Sequence, residues 1–333
     1  MARRECEDEP VVSWGVCFGP AWNTSLGELV PWARAAEAAG FNRVATGEFH
    51  SDPITWAALL AAATHRVPIA TTIASIAQRH PTVVAEAVAA IRDVHGDRIE
   101  LGLGVSHPSL VEQELGLPQP DLADLEAYVA AVRSTLAGEE GRFGRYRVPA
   151  HERTRRTAGH PPILVAALGL RAVTRAATYA DGVILTWAPQ DWIARVVERV
   201  RAQDAATGRS TRVWAVLPTF LHDEPERAQL ACAAALQPYL QLPSYASMLS
   251  TALGDLDRVA AAAHATSPAQ VLDRLGGAVL ERIAAVGGPD HVRTAIDAHT
   301  AIGVDEVLLY PLSTGAGWAA AVEACISRCP PAP

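Results

Sequence analysis

The chain has 333 residues, of which 50% are hydrophobic and 19% are charged, and its formal net charge is −8 at pH 7. This composition supports a sizeable core and excludes global disorder, and the acidic balance excludes a nucleic-acid partner because phosphate binding needs a basic face. The chain contains no lysine. That absence excludes Schiff-base and other lysine-dependent chemistry.

The five cysteines are scattered over a long chain and are odd in number, which is not typical of a disulfide framework. Residues 1–10, which carry Arg3, Arg4 and four acidic residues, are predicted to form a flexible tail, and they lack the apolar stretch of a secretory signal. No apolar run is long enough to span a bilayer. We therefore expect a cytoplasmic protein with no membrane partner. No histidines or acids share a ligand spacing on one element, so no metal site is predicted.

Apolar strands and helical segments alternate along the whole chain. The predicted strands cover residues 11–18, 42–47, 67–75, 98–104, 162–167, 182–186, 213–220 and 304–310. Eight such units predict an α/β fold, a (β/α)8 TIM barrel that forms a single domain over residues 1–333. An open doubly wound sheet is the alternative, but strand one is followed by Gly19-Pro20-Ala21-Trp22, which is not a dinucleotide-binding fingerprint.

Two loop segments and one longer segment exceed this repeat. The loops at 106–121 and 137–161 are rich in Pro, Gly and Arg, and a short hairpin is predicted at 142–148. Residues 223–286 are predicted to form a helical insertion between strands seven and eight, with breaks at Pro238, Pro243, Gly254 and Pro268. We expect the insertion to act as a lid over the barrel mouth. Alternatively, its helices pack on the barrel side or on a partner subunit.

The active site of a TIM barrel lies at the carboxyl ends of its strands, and this rule selects candidates for catalysis. Glu48 and His50 follow strand two, and His107 follows strand four. A carboxylate and an imidazole that face one another can share acid/base work, whereas the alternative is that each caps a helix or pairs with arginine. Gly169-Leu170 opens a helix directly after strand five, where free N–H groups can bind phosphate.

Four segments carry a resemblance to a known family. The run 98–108, RIELGLGVSHP, resembles the strand-four motif of the bacterial luciferase-like superfamily, in particular its coenzyme F420-dependent branch. Residues 162–171, PILVAALGLR, and 180–189, ADGVILTWAP, resemble the strand-five to strand-six signature of the same branch, and 303–311, GVDEVLLYP, resembles its closing strand. The resemblance spans about residues 12–326 and implies a barrel that is often dimeric.

The resemblance implies that the cofactor is coenzyme F420, with FMN as the alternative. In the F420-dependent enzymes the ring lies over strand three, where a non-proline cis peptide forms a bulge, and Ser75-Ile76 is expected at that position. The cofactor phosphate is expected at the strand-five turn. The expected cofactor-binding residues are Cys17, Gly47, Ser75, Ile76, Gly104, Val105, Ser106, Ala166, Ala167, Leu168, Gly169, Leu170 and Thr186.

The chain departs from the family pattern at the proton-transfer positions. The family's sugar-phosphate dehydrogenases carry His after strand two and Glu after strand four, whereas this chain has Glu48 and His107. We expect Glu48 and His107 to form the acid/base pair, with His50 as an outer partner. A luciferase-style alignment would instead bring His50 into the pocket.

The substrate and activity follow from the resemblance and its limits. The sugar-phosphate enzymes use lysine on the substrate phosphate, so a chain without lysine is expected to act on another small molecule. We expect an F420-dependent reductase of a C=C, C=N or C=O bond. The alternatives are an FMN-dependent monooxygenase and a non-catalytic barrel subunit of the same superfamily. A homodimer is expected.

Overall fold

The computed structural model describes residues 14–19, 26–48, 51–150 and 159–331. The strands are β1 (Gly15–Cys17), β2 (Val44–Thr46), β3 (Ile69–Thr71), β4 (Ala74–Ser75), β5 (Ile99–Gly104), β6 (Gly141–Phe143), β7 (Tyr146–Val148), β8 (Ile163–Ala166), β9 (Gly182–Thr186), β10 (Arg212–Leu221), β11 (Ala285–Gly287) and β12 (Glu306–Pro311). The helices are α1 (Leu26–Ala38), α2 (Pro53–Ala63), α3 (Pro81–His95), α4 (Leu122–Ala137), α5 (Leu170–Tyr179), α6 (Gln190–Thr207), α7 (Pro225–Leu240), α8 (Pro243–Leu253), α9 (Leu256–Ala263), α10 (Pro268–Leu275), α11 (Gly277–Ile283), α12 (Pro289–Ala301) and α13 (Trp318–Arg328). The predicted tail at 1–10 lies outside the described residues.

A closed parallel barrel forms the centre of the molecule, which confirms the predicted fold class. The strands pair in the order β10, β12, β1, β2, β3, β5, β8 and β9, and β9 pairs with β10 to close the ring. The hairpin of β6 and β7 is antiparallel and separate from the barrel. None of the described helices is long and apolar enough to cross a membrane.

The third barrel strand is interrupted by a bulge between β3 and β4. Ala70 pairs with Glu100 and Ala74 pairs with Leu103. Four residue steps on one side therefore face three on the other, so one extra residue is accommodated there. The non-proline cis peptide bond lies at Thr72–Ile73. The prediction of Ser75–Ile76 was wrong, because that pair follows the bulge, where β4 has already resumed its pairing with β5.

Local sequence signals explain where the helices begin and end. α4 starts with a capping box, in which the Asp121 carboxylate accepts from the backbone N–H groups of Ala123 and Asp124. Proline occupies the first turn of α2, α3, α8 and α10, where its missing N–H costs nothing. α4 ends at Gly138, whose φ of +70° favours glycine.

Two hydrophobic clusters stabilise the barrel. The larger one fills the space between the strands and the surrounding helices. The smaller one occupies the barrel interior and includes Cys17, Leu164, Ile184, Val216 and Tyr310. Because side chains alternate along a strand, these residues identify the inward positions of β1, β8, β9, β10 and β12.

A buried ionic cluster closes the amino-terminal end of the barrel. The Arg43 guanidinium bonds to the carboxylates of Glu100 and Glu306 and lies 4.5 Å from the centre of the Trp214 ring. Arg212 donates to Glu100 at 2.8 Å. Burial raises the pKa of Glu306 to about 7. These charges lie at the opposite end from the expected active site and leave the carboxyl end to other groups.

The segment between β10 and β12 departs from the predicted pattern in two ways. Residues 223–286 contain the five helices α7 to α11, and the following β11 adds a parallel strand beside the second half of β10. This strand was not predicted, because three apolar residues give too short a signal within helical sequence. Pro238 does not break a helix as predicted, since α7 continues for two residues beyond it to Leu240.

Candidate active site

The carboxyl end of the barrel presents an inward layer of neutral residues that, apart from one tyrosine, are small. By strand alternation from the interior cluster, this layer contains Cys17, Gly104, Ala166, Thr186 and Tyr310. Four of these five belong to the expected cofactor-binding set, and Tyr310 does not. The Thr186 hydroxyl is buried and has no hydrogen-bond partner among the described residues. It is therefore available to a bound group.

The bulge after β3 is held against β5 by close backbone contact. The Thr71 hydroxyl donates to the Gly102 carbonyl at 2.7 Å and accepts from the Gly102 N–H at 2.9 Å. A Cβ atom on Gly102 would lie 2.0 Å from the Thr71 carbonyl oxygen. Thr72, within the bulge, lies 3.1 Å from the Cys17 sulphur, which links β1 to the same segment. The bulge is thus fixed from both sides.

Glu48 is hydrogen-bonded to the chain at this bulge and just beyond it. Its backbone N–H donates to the Ile73 carbonyl at 3.1 Å, and its carboxylate accepts from the Ser75 N–H. The other carboxylate oxygen accepts from Arg79 at 2.9 Å, and the side chain is only 1% exposed. Burial raises the pKa of Glu48, and the Ser75 and Arg79 hydrogen bonds offset part of that rise. Both carboxylate oxygens are therefore engaged.

Arg79 extends this network away from the bulge. Its second terminal nitrogen lies 3.1 Å from a carboxylate oxygen of Asp52, which also caps α2 by accepting from the Ile54 N–H at 3.0 Å. The Arg79 carbonyl accepts from the Tyr128 hydroxyl at 3.1 Å. The charge of Glu48 is thus balanced by an arginine that is itself held in place.

His107 lies among aromatic rings rather than beside Glu48. Its ring centre is 5.8 Å from that of Tyr245 and 6.3 Å from that of Tyr239. Burial lowers the pKa of His107, so the imidazole is neutral at pH 7. No hydrogen bond or ion pair joins it to Glu48 within the described chain. His50 lies outside the described residues.

Two non-glycine residues at this end have left-handed backbone conformations. Ser106 has a φ of +62°, directly before His107, and Trp187 has a φ of +54°, directly after Thr186. Such conformations are unfavourable for L residues and cluster at functional sites. At the ends of β5 and β9 the surrounding structure therefore holds the backbone in an unfavourable conformation.

The start of α5 offers an uncapped helix N-terminus. Gly169 is the N-cap residue and makes no side-chain capping bond, and a Cβ atom there would meet nothing within 4 Å. The preceding turn is fixed because the Leu168 carbonyl accepts from the Trp192 indole at 2.9 Å. Free N–H groups with open space beside them can bind an anion. The predicted start of this helix at Leu170 is confirmed.

The remaining expected cofactor residues lie at or near the same end. Gly47 follows β2, Val105 follows β5, and Ala167 follows β8. Ser75 lies within β4, where its N–H is bonded to Glu48. The Ile76 side chain packs in the cluster between strands and helices rather than in the barrel interior.

Sequence reasoning missed several residues that the fold brings to this end. They are Arg79, Trp187, Tyr239, Tyr245 and Tyr310. Trp187 and Tyr310 could have been found from the sequence, because Trp187 follows strand six and Tyr310 lies near the end of strand eight. No sequence signal placed the two insertion tyrosines, because their approach depends on how α7 and α8 pack.

The arrangement can hold a phosphate-bearing planar cofactor. The α5 N-terminus supplies N–H donors for the phosphate, the unpartnered Thr186 hydroxyl supplies a further polar group, and the inward layer is otherwise small and neutral. These residues fit a flavin or deazaflavin.

A sequence profile of the luciferase-like monooxygenase family matches residues 15–306. The match covers most of the chain, so the protein belongs to this family. The family resemblance seen in the sequence motifs is thereby confirmed.

Curated relatives and solved structures add detail. Rv3520c of Mycobacterium tuberculosis, whose name places it among coenzyme F420-dependent oxidoreductases, is 35% identical over 173 residues, 46% of this chain and 48% of that protein. The F420-dependent glucose-6-phosphate dehydrogenase of Nakamurella multipartita is 32% identical over 189 residues, 51% and 53% of the two chains. The chain thus spans about half the length of the curated relatives it matches.

The solved structure of the coenzyme F420-dependent tetrahydromethanopterin reductase of Methanopyrus kandleri superimposes with a TM-score of 0.75 at 18% identity, covering 96% of this chain and 98% of that one. At this identity the likeness establishes the shared barrel fold.

Proposed function

We propose that the protein is an F420-dependent oxidoreductase that transfers a hydride between C5 of the deazaflavin and a small organic substrate, as a reductase of a C=C, C=N or C=O bond. The observation that carries this proposal is the uncapped N-terminus of α5 at the same barrel end as a half-buried imidazole, His107, whose pKa is lowered by burial. The names of the two curated relatives support the choice of F420.

When bound, the deazaflavin supplies the hydride chemistry. The N–H groups at the start of α5 would hold its phosphate, and the Thr186 hydroxyl would supply a further polar contact. Glu48 keeps the bulge at Thr72 in place through Ser75, and the bulge would help to hold the cofactor. The remaining task for the chain is to exclude water and to deliver a proton.

His107 is the proposed proton donor to the reduced substrate. Burial among rings favours the neutral imidazole, so His107 would act as a relay: the anion formed by hydride addition takes the ring N–H proton while the other ring nitrogen takes up a proton from solvent. Glu48 is the second proposed member of the acid/base pair. Its raised pKa suits proton exchange, and Arg79 is the group from which its carboxylate oxygen must be released.

Single replacements test these two roles. We expect His107→Ala and Glu48→Gln each to lower turnover by about a hundredfold or more, the usual contribution of a general acid or base. His264→Ala and Glu226→Gln, at exposed positions on the insertion, are the matched controls. Turnover near the wild-type rate in both site variants would refute the acid/base pair.

An FMN-dependent monooxygenase is the second candidate, since the family to which the chain belongs is described as luciferase-like monooxygenases. Titration of the purified protein with F420 and with FMN, followed by fluorescence and absorbance, separates the two. We expect saturable binding of F420 and none of FMN. The opposite result would favour the monooxygenase, and binding of neither would favour the non-catalytic subunit.

Three broader expectations stay predictions. They are a single domain over residues 1–333, a cytoplasmic location and a homodimer. Light scattering of the purified protein tests the last of these, since a homodimer would have twice the 35.2 kDa of one chain.

A further inference from the structure

Arg79 lies between two carboxylates that differ in their exposure to water. One of its terminal nitrogens, Nη1, lies 2.9 Å from Oε1 of Glu48, whose side chain is 1% exposed. The other, Nη2, lies 3.1 Å from a carboxylate oxygen of Asp52, whose side chain is 45% exposed. A single guanidinium therefore connects a buried carboxylate to one at the surface.

The backbone of Arg79 is held independently of its side chain. The Arg79 carbonyl accepts from the hydroxyl of Tyr128, on α4, at 3.1 Å. His80 follows directly and caps α3, since its ring Nδ1 accepts from the Thr82 N–H at 3.4 Å. The guanidinium can therefore lose one carboxylate partner while the backbone that carries it stays in place.

The hydrogen bonds around Glu48 suit its ionised form. Oε2 accepts from the Ser75 N–H, and Oε1 accepts from Arg79. Both partners are donors, and the arginine side chain has no acceptor, so a proton on either oxygen would face an N–H group. Protonation of Glu48 therefore requires that one bond be given up. The Arg79 side chain can move more easily than the Ser75 backbone, which is paired within the sheet.

Arg79 and Asp52 act on the charge of Glu48 in opposite directions. Burial raises the pKa of Glu48, Arg79 lowers it and Asp52 raises it. Among the described residues, the other titratable group that faces Glu48 is Tyr128, and burial raises the pKa of its phenol, so it stays neutral. When Glu48 is protonated, Asp52 remains as a counter-ion, and the guanidinium is not left without one.

From this geometry we infer that Arg79 is a positioning residue that controls proton uptake by Glu48, and that Asp52 holds Arg79 while Glu48 carries the proton. In this step a proton from solvent binds to Oε1 of Glu48, the hydrogen bond from Nη1 of Arg79 breaks, and Nη2 stays on Asp52. Release of the proton restores the bond. The inference rests on the proposed function, because it assigns the regulation of the acid/base group of the same site.

Infrared titration of the full-length protein, without cofactor, measures this proton uptake. A protonated carboxyl group has its own carbonyl band, and subtraction of the Glu48→Gln spectrum separates the Glu48 band from that of the other buried carboxyls, such as Glu306. Arg79→Met should raise the pH midpoint of the Glu48 band by about 1–3 units, the usual effect of an adjacent arginine. Asp52→Asn, which keeps a capping side chain for α2, should lower the midpoint by about 0.5 unit.

Two further variants separate this role from a structural one. Arg175→Met is the matched control, because Arg175 pairs with Glu126 at 2.7 Å on the surface, and it should leave the Glu48 midpoint unchanged. Arg79→Lys keeps the charge but lacks the fork that reaches two carboxylates, so its midpoint should lie between those of the wild type and Arg79→Met. If Arg79→Met loses its thermal transition, the rise in Arg79→Lys replaces it.

Three results would overturn the inference. They are an unchanged midpoint in the Arg79 variant, shifts in the same direction in the Arg79 and Asp52 variants, and the absence of a Glu48 band at every pH at which the Arg79 variant is folded. Loss of packing alone would not move the midpoint in opposite directions in the two variants.

The failure of this inference is distinguishable from that of the proposed function, because the infrared titration needs no cofactor. A protein that binds F420 but gives shifts in the same direction in both variants contradicts only the inference. A protein that does not bind F420 but gives the opposite shifts contradicts only the proposed function.

Discussion

Gly102→Ala should destabilise the barrel strongly, because there is no room for a methyl group at this point of β5. A Cβ atom on Gly102 would lie 2.0 Å from the Thr71 carbonyl oxygen and 2.9 Å from Cδ1 of Ile184. The first of these atoms belongs to the backbone at the start of the bulge. It cannot rotate away as the end of a flexible side chain can.

The cost can be estimated from what must move. Ordinary contact would require a separation of 3.4 Å or more, so the two backbones must part by over 1 Å. Both hydrogen bonds between Thr71 and Gly102 would be lost or stretched, at about 1 kcal/mol each, and overpacking adds about 1–3 kcal/mol. We therefore expect a loss of about 3–5 kcal/mol in the free energy of unfolding.

Urea denaturation followed by circular dichroism measures this loss, and Gly277→Ala is the matched control. At Gly277 a Cβ atom would lie 2.5 Å from the amide nitrogen of Gln229, which is the far end of a flexible side chain. The control should change stability by less than about 1 kcal/mol, because alanine has the higher helix propensity and the Gln229 side chain can move aside. A loss below about 1 kcal/mol in Gly102→Ala, or equal losses in both variants, would refute the reasoning.

Three further predictions concern other contacts. The folded-state pKa of Glu306, about 7, lies above its ordinary value of 4.5, so the free energy of unfolding falls as the pH rises between these values. Relative to Glu306→Gln, the wild type should lose up to about 3 kcal/mol between pH 5 and pH 8, as measured by urea denaturation at each pH. Arg98 donates to a hydroxyl and to several backbone carbonyls at the ends of α2 and α3, so Arg98→Ala should lower the free energy of unfolding by about 3 kcal/mol. Arg227→Ala, at an exposed position, should change it by no more than about 0.5 kcal/mol. Equal effects of the two variants on the melting temperature would contradict this prediction. Asp121→Ala should cost about 1 kcal/mol by uncapping α4, and an unchanged unfolding midpoint would show that the cap contributes nothing.

The candidate site was only partly predictable from the sequence. The family resemblance selected Cys17, Gly104, Ala166 and Thr186, and strand alternation in the closed barrel places all four in the inward layer. The strand-end rule selected Glu48 and His107, but the two lie in different surroundings, Glu48 in an ionic network and His107 among aromatic rings. Which partner a side chain meets depends on packing between elements distant in the chain.

The sequence also misplaced the cis peptide bond, because the third barrel strand contains a bulge that the hydrophobic pattern does not reveal. The bulge between β3 and β4 adds one residue to the third barrel strand, and the cis peptide expected at Ser75–Ile76 lies three residues earlier, at Thr72–Ile73. A single extra residue leaves no mark in the hydrophobic pattern, because residues on both sides of it stay buried.

The sequence by itself determined the barrel, the α5 N-terminus and the absence of lysine chemistry. These follow from apolar periodicity, from a glycine before a helix and from composition, all of which are local or additive properties. The tertiary structure alone decided that Arg79 neutralises Glu48 and that two tyrosines of the insertion cover His107. Glu48 and Arg79 are 31 positions apart in the chain, and His107 and Tyr245 are 138 positions apart. Only the packing of the closed barrel and its insertion brings these residues together.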